Sequence, residues 1–226
     1  YLSKIPNGDP NLYIRESLYP ELSGEPALVL YSIPDDLKVE RIYSPSKIFY
    51  AKARPFEYGD IISSDNFSAK DVFTTDGSIV KTLPSSISDQ RMGSVSATVF
   101  SPGTPKEIKF TRINPTKYFI SVTSAPNQFI IQFVESFDKQ WKIYPTNTDT
   151  GKFRYGSEFL NEKTFESFRL KELDEGQHFK SNGFANGWVI DTGSLNTSNL
   201  LTKNPDGTYN INLILEFSAQ RNFYIY

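Results

Sequence analysis

The two tryptophans of the chain, Trp141 and Trp188, each lie at the end of an apolar run and next to polar turn residues. Around Trp188 the polar residues carry amide and carboxylate groups, at Asn182, Asn186 and Asp191. Proteins hold sugars by stacking them on aromatic rings and by directing hydrogen bonds from such groups. We therefore predict a sugar-binding site at Trp188 with its three polar neighbours, and a second candidate at Trp141. The competing interpretation places each indole in the core, with its N–H bonded to a carbonyl.

Two carboxylates, Glu135 and Glu216, lie in or at the end of apolar strand patterns. Burying an unpaired charge is costly, so each carboxylate needs a partner or a function. The first interpretation is a structural ion pair, with Arg112, Arg169 or Arg221 as the partner. The second is contact with a bound ligand, for which we name Glu135 as a candidate. The third is glycoside hydrolysis, which needs two carboxylates that face each other across a cleft.

Few residue types are present from which a metal centre or a nucleophilic triad could be built. His178 is the only histidine and the chain has no cysteine. A His/Cys zinc site, a Ser-His-Asp triad and a Cys-His pair all need more than this, and no motif for them surrounds His178. We interpret His178 as a residue at a strand edge and predict no catalytic residue and no metal site.

A calcium loop is the alternative for residues 147–151, Asn-Thr-Asp-Thr-Gly, where side chains with oxygen atoms alternate. The run lacks the glycine at the sixth position and the glutamate at the twelfth that an EF-hand requires. A simple polar turn is therefore the preferred interpretation.

Two triplets match the acceptor pattern for N-glycosylation: Asn66-Phe67-Ser68 and Asn196-Thr197-Ser198. An acceptor asparagine lies in a surface loop of a protein that leaves the cytoplasm. Such triplets are common by chance, and they matter only in a cell that glycosylates its surface proteins.

The segment 106–145 organises the predicted fold, because it contains three strand patterns. Apolar and polar residues alternate on either side of a turn at 114–117, where Pro115 fixes its own φ and keeps Asn114 extended. A second turn at 125–127 leads into 129–134, which is apolar on both parities. That pattern predicts a central strand covered on both faces.

The rest of the chain also shows strands separated by turns. Strands are predicted at 27–32, 38–43, 47–54, 94–100, 187–191 and 209–217. Asp76-Gly77 predicts a hairpin turn, and residues 204–207 predict a turn that starts the last strand. Short helical turns are predicted within 157–175, and residues 11–19 are expected to form either a short helix or part of a lead-in arm.

The order of these elements predicts an all-β protein, because strands follow one another without intervening helices. We predict an antiparallel β-sandwich, jelly-roll-like, with at most one or two short helices. Residues 1–26, rich in Pro, Gly, Asn and Asp, are predicted to be a lead-in arm, and 27–226 a single unit. The turn-rich run 101–105 is the one candidate boundary within that unit.

Charge and hydropathy argue against a nucleic-acid partner and against a membrane-spanning run within the 226 residues. The net charge is −2 and basic residues form no cluster, so we predict no nucleic-acid partner. The sequence contains no signal peptide and no apolar run of about 18 residues, so the piece is expected to be soluble. The closing aromatic residues 223–226 are typical of a membrane interface, with a last sheet strand as the alternative.

Four segments together resemble the C-terminal soluble region of polytopic membrane proteins in the GT-C glycosyltransferase-like group of archaea and bacteria. They are INPTKY (113–118), FIIQFVESFDKQWKIY (129–144), HFKSNGFANGWVID (178–191) and ILEFSAQRNFYIY (214–226). The resemblance implies a β-rich extracytoplasmic domain, anchored by the membrane portion of the same polypeptide. It also implies that the catalytic acids lie in that membrane portion, so none is assigned to this chain.

The resemblance and the aromatic, amide-rich loops together lead us to expect a non-catalytic domain that binds or positions a glycan or a lipid-linked sugar. The first alternative is an interaction or scaffold module that packs on the membrane portion or on a partner subunit. That alternative predicts an exposed apolar patch. The second alternative is a free-standing, carboxylate-dependent glycoside hydrolase.

Overall fold

The computed structural model describes residues 14–17, 29–31, 39–84, 86–147, 166–195 and 200–221. In chain order the strands are β1 (Ile14–Ser17), β2 (Val29–Tyr31), β3 (Ile42–Tyr43), β4 (Ile48–Ala51), β5 (Val72–Thr74), β6 (Ser86–Met92), β7 (Val95–Phe100), β8 (Glu107–Asn114), β9 (Lys117–Ala125), β10 (Gln128–Phe133), β11 (Trp141–Thr146), β12 (His178–Ser181), β13 (Ala185–Asp191), β14 (Leu201–Lys203) and β15 (Tyr209–Phe217).

The helices are short. They are α1 (Tyr58–Ile62), α2 (Thr192–Leu195) and the 3₁₀ helices Pro55–Glu57, Ile79–Thr82, Glu166–Arg169 and Glu175–Gln177. Within the described ranges, no helix has the length and apolar character needed to cross a bilayer. The predicted all-β antiparallel sandwich is confirmed.

Three sheets form the body of the molecule. The middle sheet has the strand order β12–β13–β10–β3, and the first outer sheet has the order β11–β15–β9–β8, with β14 also paired to β15. The second outer sheet has the order β5–β4–β7–β6. Neighbouring strands are antiparallel except for the parallel pair β4–β5. Strands β1 and β2 form a separate antiparallel pair.

The middle sheet is buried on both faces because an outer sheet packs on each side. Phe129 and Ile131 of β10 belong to the core shared with Tyr118 of the first outer sheet. Ile130, which points the other way, packs in the core that contains Ile48 of the second outer sheet. The predicted central strand is therefore confirmed, and its two apolar parities correspond to two different cores.

Each outer sheet has an apolar cluster on its far side as well. On the second outer sheet, Phe49 and Phe73 pack with Ile61 of α1 and with Phe67 of the following loop. On the first outer sheet, the cluster consists of Phe119, Tyr144 and Ile214, with Ile113 and Leu170 packed against it. Alternate residues of β9 thus enter different clusters, as strand geometry requires.

Two predicted turns are confirmed at the predicted positions. Residues 114–117 join β8 to β9, with Asn114 Oδ1 accepting a hydrogen bond from the Thr116 N–H at 2.8 Å. Residues 204–207 join β14 to β15, and Gly207 has the left-handed φ of +84° that favours glycine. The turn at 125–127 connects β9 to β10 and so carries the chain from the first outer sheet to the middle sheet.

Two local predictions are wrong. The turn at Asp76-Gly77 does not close a hairpin but leads from β5 into the 3₁₀ helix Ile79–Thr82, which Asp76 Oδ1 helps to start by accepting from the Ser78 N–H at 2.9 Å. The alternative of a short helix within 11–19 is wrong for Ile14–Ser17, which form β1, because pairing with β2 satisfies these backbone groups instead.

Part of the region 157–175, in which a helical turn was predicted, lies outside the described residues, and its described part contains the 3₁₀ helix Glu166–Arg169. Residues 101–105 run from β7 to β8, and the Gly103 N–H donates to the Gln128 carbonyl at 3.1 Å. The predicted division into an arm and a single unit stays a prediction.

Candidate functional site

Trp188 lies in the core between the middle sheet and the first outer sheet, with 2% of its surface exposed. The pairing of β12 with β13 places His178 directly opposite Trp188, and their rings stack with centroids 4.4 Å apart and planes 8° apart. One indole face is therefore covered by the imidazole. The sugar-stacking role predicted for Trp188 has no open ring face in this structure.

Trp141 begins β11 and is 8% exposed, in the same core. Its ring meets Phe133 edge-on at a centroid distance of 4.8 Å and lies 5.3 Å from Phe217. Such edge and tilted contacts are those that the aromatic quadrupole favours. The core interpretation thus describes the position of both tryptophans.

Asn186 is fully buried, and its amide holds the loop that follows β10. The Asn186 Nδ2 donates to the carbonyls of Glu135 at 2.9 Å and Ser136 at 3.1 Å. Its Oδ1 accepts from the Asp138 N–H at 3.2 Å. These bonds use both amide hydrogens, so Asn186 fixes the loop after β10 and directs neither hydrogen to solvent.

Asn182 and Asp191 also bond to the backbone. Asn182, at φ +51° in the turn between β12 and β13, accepts from the Phe73 N–H at 2.8 Å through its Oδ1. It thereby ties the middle sheet to β5 of the second outer sheet. Asp191 Oδ1 accepts from the Gly193 N–H at 2.9 Å in the first turn of α2.

The two singled-out glutamates both form ion pairs with arginine. Glu216 is buried and lies 3.0 Å from the Arg221 guanidinium, one of the partners considered above. Glu135 lies 3.0 Å from Arg41, a partner that the sequence did not indicate, and Arg41 also donates to the Tyr118 hydroxyl at 2.7 Å. The ion-pair interpretation is confirmed for both.

The six predicted binding residues therefore do not surround one open site. Asn186 approaches Glu135 only through the backbone carbonyl of the latter. The other members, Asn182 and Asp191, lie at opposite ends of β13. A ligand contact by any of these residues stays a prediction, and the two indoles are buried in the core.

His178 lies at the start of β12, an edge strand, as predicted. Its ring lies between Trp188 and Phe137, whose centroid is 5.0 Å away, and its Nε2 is 3.1 Å from Asn186 Oδ1. Since that oxygen can only accept, Nε2 carries a hydrogen. Burial lowers the pKa of His178 to about 4, so the imidazole is neutral at pH 7.

An open groove lies where the edges of two sheets meet, and we call it the edge groove. Strand β3 is the last strand of the middle sheet, and β8 is the last strand of the first outer sheet. The groove between them has a volume of about 440 Å³, which lies within the usual range for small-molecule sites. Its polar wall residues are Glu40, Tyr43, Ser44, Lys70, Thr104, Lys106 and Glu107.

Different parts of the fold supply these side chains. Ile108 of β8, which is partly buried, gives the groove an apolar component, and Ile42 of β3, which also lines the groove, is fully buried. The loop after β7 contributes Thr104 and Lys106, and the loop after α1 contributes Lys70. The arrangement combines apolar surface, hydroxyl groups and charges of both signs.

Ser44 is the unsatisfied group of the edge groove. Its hydroxyl oxygen is buried and has no hydrogen-bond partner among the residues that the structure describes. Buried polar atoms are nearly always hydrogen-bonded, so an unpartnered one calls for an explanation.

Sequence reasoning did not identify the edge groove. The pattern at 38–43 indicated an edge or exposed strand, which agrees with the place of β3. The pattern does not indicate that β3 would lie next to β8, which begins more than 60 residues later in the chain. Contacts between two sheets leave no periodicity in the sequence of a strand.

The described parts of the chain contain no candidate metal centre. In the described ranges, no three His, Asp or Glu side chains are grouped as metal ligands would be. The calcium-loop hypothesis falls on residues 147–151, of which all but Asn147 lie outside those ranges, as does the acceptor Asn196.

No protein-family model matches the chain, and neither a curated protein nor a solved structure matches it.

Proposed function

We propose that this chain is a non-catalytic, extracytoplasmic domain of a membrane glycosyltransferase-like protein, and that it binds or positions a glycan or a lipid-linked sugar in the edge groove. The four segments that resemble the soluble region of such proteins support the type of parent protein. The chemistry of the groove supports the ligand class. The observation that carries the proposal is the edge groove itself, whose wall combines apolar surface, hydroxyl groups and charged side chains.

A sugar presents an apolar C–H face and a rim of hydroxyls, and the groove has groups for both. Tyr43 and Ile108, which are both partly buried, provide aromatic and aliphatic surface. Glu40 and Ser44 provide an acceptor carboxylate and a hydroxyl that can donate and accept. A site with apolar walls and a few directed polar groups is the usual form of a small-molecule pocket.

The two ammonium groups extend this reasoning to a lipid-linked sugar. Lys70 and Lys106 line the same groove from two different loops and are exposed. The phosphate that links a sugar to a lipid is an anion, and lysine binds phosphate as a point charge. If a lipid-linked sugar bound beside Ser44, Lys70 and Lys106 in the same groove could pair with its phosphate.

Calorimetric titration of the chain with envelope oligosaccharides and with a short-chain isoprenyl phosphate sugar tests the proposal. Replacing the Ser44 hydroxyl in Ser44→Ala should weaken binding about fivefold to tenfold, because one hydrogen bond contributes roughly 1 kcal/mol. Lys106→Ala should weaken binding of the phosphate sugar about tenfold but change the neutral oligosaccharide little. The matched controls are Ser96→Ala and Lys81→Ala, exposed residues outside the groove.

Absence of binding to all of these compounds would contradict the proposal. Equal weakening by the groove variants and by the control variants would contradict the placement in the edge groove. Unfolding curves of all four variants that match the parent establish that the differences concern binding.

An interaction module is the second candidate function, and two exposed aromatics favour it. Phe56 is 75% exposed and Phe184 is 53% exposed. Phe56 lies in the 3₁₀ helix Pro55–Glu57 and Phe184 in the turn between β12 and β13, and this turn approaches α1 at Gly183, where an added Cβ would be 2.8 Å from Cε2 of Tyr58. Exposed apolar patches mark interaction sites.

For the interaction module, association of the chain with the purified membrane portion is the measurement. Phe56→Ser and Phe184→Ser together should abolish the association, while Ser44→Ala should leave it intact. Unchanged association after the double substitution would remove this candidate.

The hydrolase alternative has two carboxylates in the edge groove, Glu40 and Glu107, of which Glu107 pairs with Lys109 at 3.0 Å on the surface. A broad panel of aryl glycosides should show no turnover by the chain. Turnover that Glu40→Gln abolishes would replace the binding proposal with hydrolysis.

A further inference from the structure

We propose that Asn66 is a site of N-linked glycosylation. This inference rests on the extracytoplasmic placement in the proposed function. The triplet Asn66-Phe67-Ser68 has the required order of asparagine, a residue other than proline, and serine. The structure adds the exposure and the local geometry of these three residues, which the sequence does not contain.

The three residues alternate between solvent and core. Asn66 and Ser68 are exposed, whereas Phe67 is 4% exposed. The Phe67 ring is 5.4 Å from that of Phe49 and 6.3 Å from that of Phe73, in the cluster on the far side of the second outer sheet. The buried phenylalanine therefore anchors the loop, and the acceptor and the hydroxyl on either side of it face solvent.

Two consecutive turns hold the loop in this form. The Phe67 N–H donates to the Ser64 carbonyl at 2.9 Å, so Asn66 is the third residue of a tight turn. The Asp71 N–H donates to the Ser68 carbonyl at 3.0 Å, and Asp71 Oδ2 accepts from the Ser68 N–H at 2.9 Å. These bonds use the backbone of the loop and leave both polar side chains of the triplet to solvent.

The side chains of Asn66 and Ser68 are not needed for folding. Among the described residues, neither side chain takes part in a hydrogen bond. A glycan on Asn66 would thus displace no contact, and the folded chain accommodates it without repacking. A buried or bonded asparagine, such as Asn186, would lose its partners on modification.

The reaction joins the side-chain amide to a sugar. The Asn66 Nδ2 forms a bond to the anomeric carbon of an oligosaccharide carried on a lipid phosphate or diphosphate. The bond between that carbon and the phosphate oxygen breaks, the lipid phosphate leaves with the electron pair, and the amide loses one proton.

The test secretes the chain, with a cleavable leader, from a cell that carries out N-glycosylation. Trypsin releases residues 53–70 as one peptide, because proline after Arg54 blocks cleavage there, and Asn66 is its only asparagine. Mass spectrometry should find a glycan on this peptide. Release of the glycan by an amidase in heavy-oxygen water should then leave a labelled aspartate at position 66.

The variants assign the modification to the triplet. Asn66→Gln and Ser68→Ala should each lose the glycan completely, and Ser68→Thr should keep it, because threonine also satisfies the pattern. Asn196→Gln is the matched control and should leave the peptide 53–70 modified. An unmodified peptide in the secreted parent, from cells that glycosylate a reference protein, overturns the inference.

A second measurement separates this inference from the proposed function. Protease accessibility in the native cell reports on which side of the membrane the chain lies. A cytoplasmic chain whose secreted form carries the glycan contradicts the proposed placement but not the acceptor geometry. An extracytoplasmic chain with an unmodified peptide 53–70 overturns the acceptor site alone.

Discussion

Single buried polar side chains join separate parts of this chain. Glu216 on the first outer sheet accepts a hydrogen bond from Ser167 and pairs with Arg221. Arg221 in turn lies over the rings of Tyr144 and Phe168, at 4.5 and 4.9 Å from their centroids. A carboxylate, a hydroxyl and a guanidinium thus fasten the 3₁₀ helix Glu166–Arg169 to the sheet, in a region where unpaired charge is costly.

Replacing Arg221 should reveal the free-energy cost of an unpaired charge at Glu216. Arg221→Gln leaves the buried Glu216 without its guanidinium and should lower the free energy of unfolding by about 3 kcal/mol, since broken buried pairs destabilise strongly. Arg169→Gln is the matched control, because Arg169 is exposed and should change stability by less than about 0.5 kcal/mol. Urea unfolding of the three proteins measures both values, and equal stabilities would contradict a structural role of the pair.

His178 makes stability depend on pH. Its pKa is about 4 in the folded chain, below the ordinary value of 6.5. Because the folded state binds the proton less readily than the unfolded state, the stability is fully present above pH 6.5 and is lost as the pH falls towards 4. The slope inside this window should approach about 1.4 kcal/mol per pH unit.

The measurement for His178 is the free energy of unfolding at several pH values between 7 and 4.5, for the parent and for His178→Phe. The variant lacks the titrating ring, so its stability should depend less on pH in this window. Parallel profiles of the two proteins would contradict the assignment of the pH dependence to His178.

At the scale of elements, the contacts that a turn makes with neighbouring elements determine whether its glycine can be replaced. Gly183 and Gly207 both have left-handed φ values, +78° and +84°. A Cβ on Gly183 would lie 2.8 Å from Tyr58 Cε2, whereas a Cβ on Gly207 would meet nothing within 4 Å. The two positions therefore share the backbone conformation and differ in their surroundings.

Gly207→Ala should destabilise the chain by about 1 kcal/mol, the cost of the left-handed conformation alone. Gly183→Ala should cost about 1 to 3 kcal/mol more, since the added methyl must displace the Tyr58 ring. Thermal unfolding of the two variants measures the difference. Equal effects would mean that the turn between β12 and β13 does not pack on Tyr58.

The elements that the sequence predicted correctly are those with a local signal. The period-two patterns on either side of 114–117 predicted β8 and β9, and the double parity of 129–134 predicted β10. The prediction of a hairpin at Asp76-Gly77 was wrong because these turn residues are as compatible with the start of a 3₁₀ helix as with a hairpin. The surroundings of Trp188 could not be predicted for another reason: its polar neighbours in sequence are visible, but the strand pairing that places His178 on its ring is not.

At the scale of the whole molecule, three stacked sheets form the body of the described part of the chain, and β10 lies in the middle sheet. Both faces of β10 are buried, so the adjacent residues Ile130 and Ile131 are each 0% exposed. Ile131 packs in one core and Ile130 in another. In a sandwich of two sheets, only one of two adjacent strand residues would face a core.

The stack predicts that Ile130→Ala and Ile131→Ala each destabilise the chain by about 2 to 5 kcal/mol, because each leaves a cavity in a packed layer. Lys109→Ala on the edge strand β8, where the side chain is exposed, is the control. Chemical unfolding measures the three values. A small effect of Ile130→Ala beside a large effect of Ile131→Ala would contradict the third layer.

The edge groove is where this architecture meets the proposed function, since it lies between an edge of the middle sheet and an edge of the first outer sheet. The most direct measurement is an amide chemical-shift titration with an isoprenyl phosphate sugar. We expect the shifts of Tyr43, Ser44, Lys106 and Ile108 to move together and to saturate with one affinity. Shifts confined to the loops of Phe56 and Phe184, or no shifts at all, would contradict glycan binding in the groove.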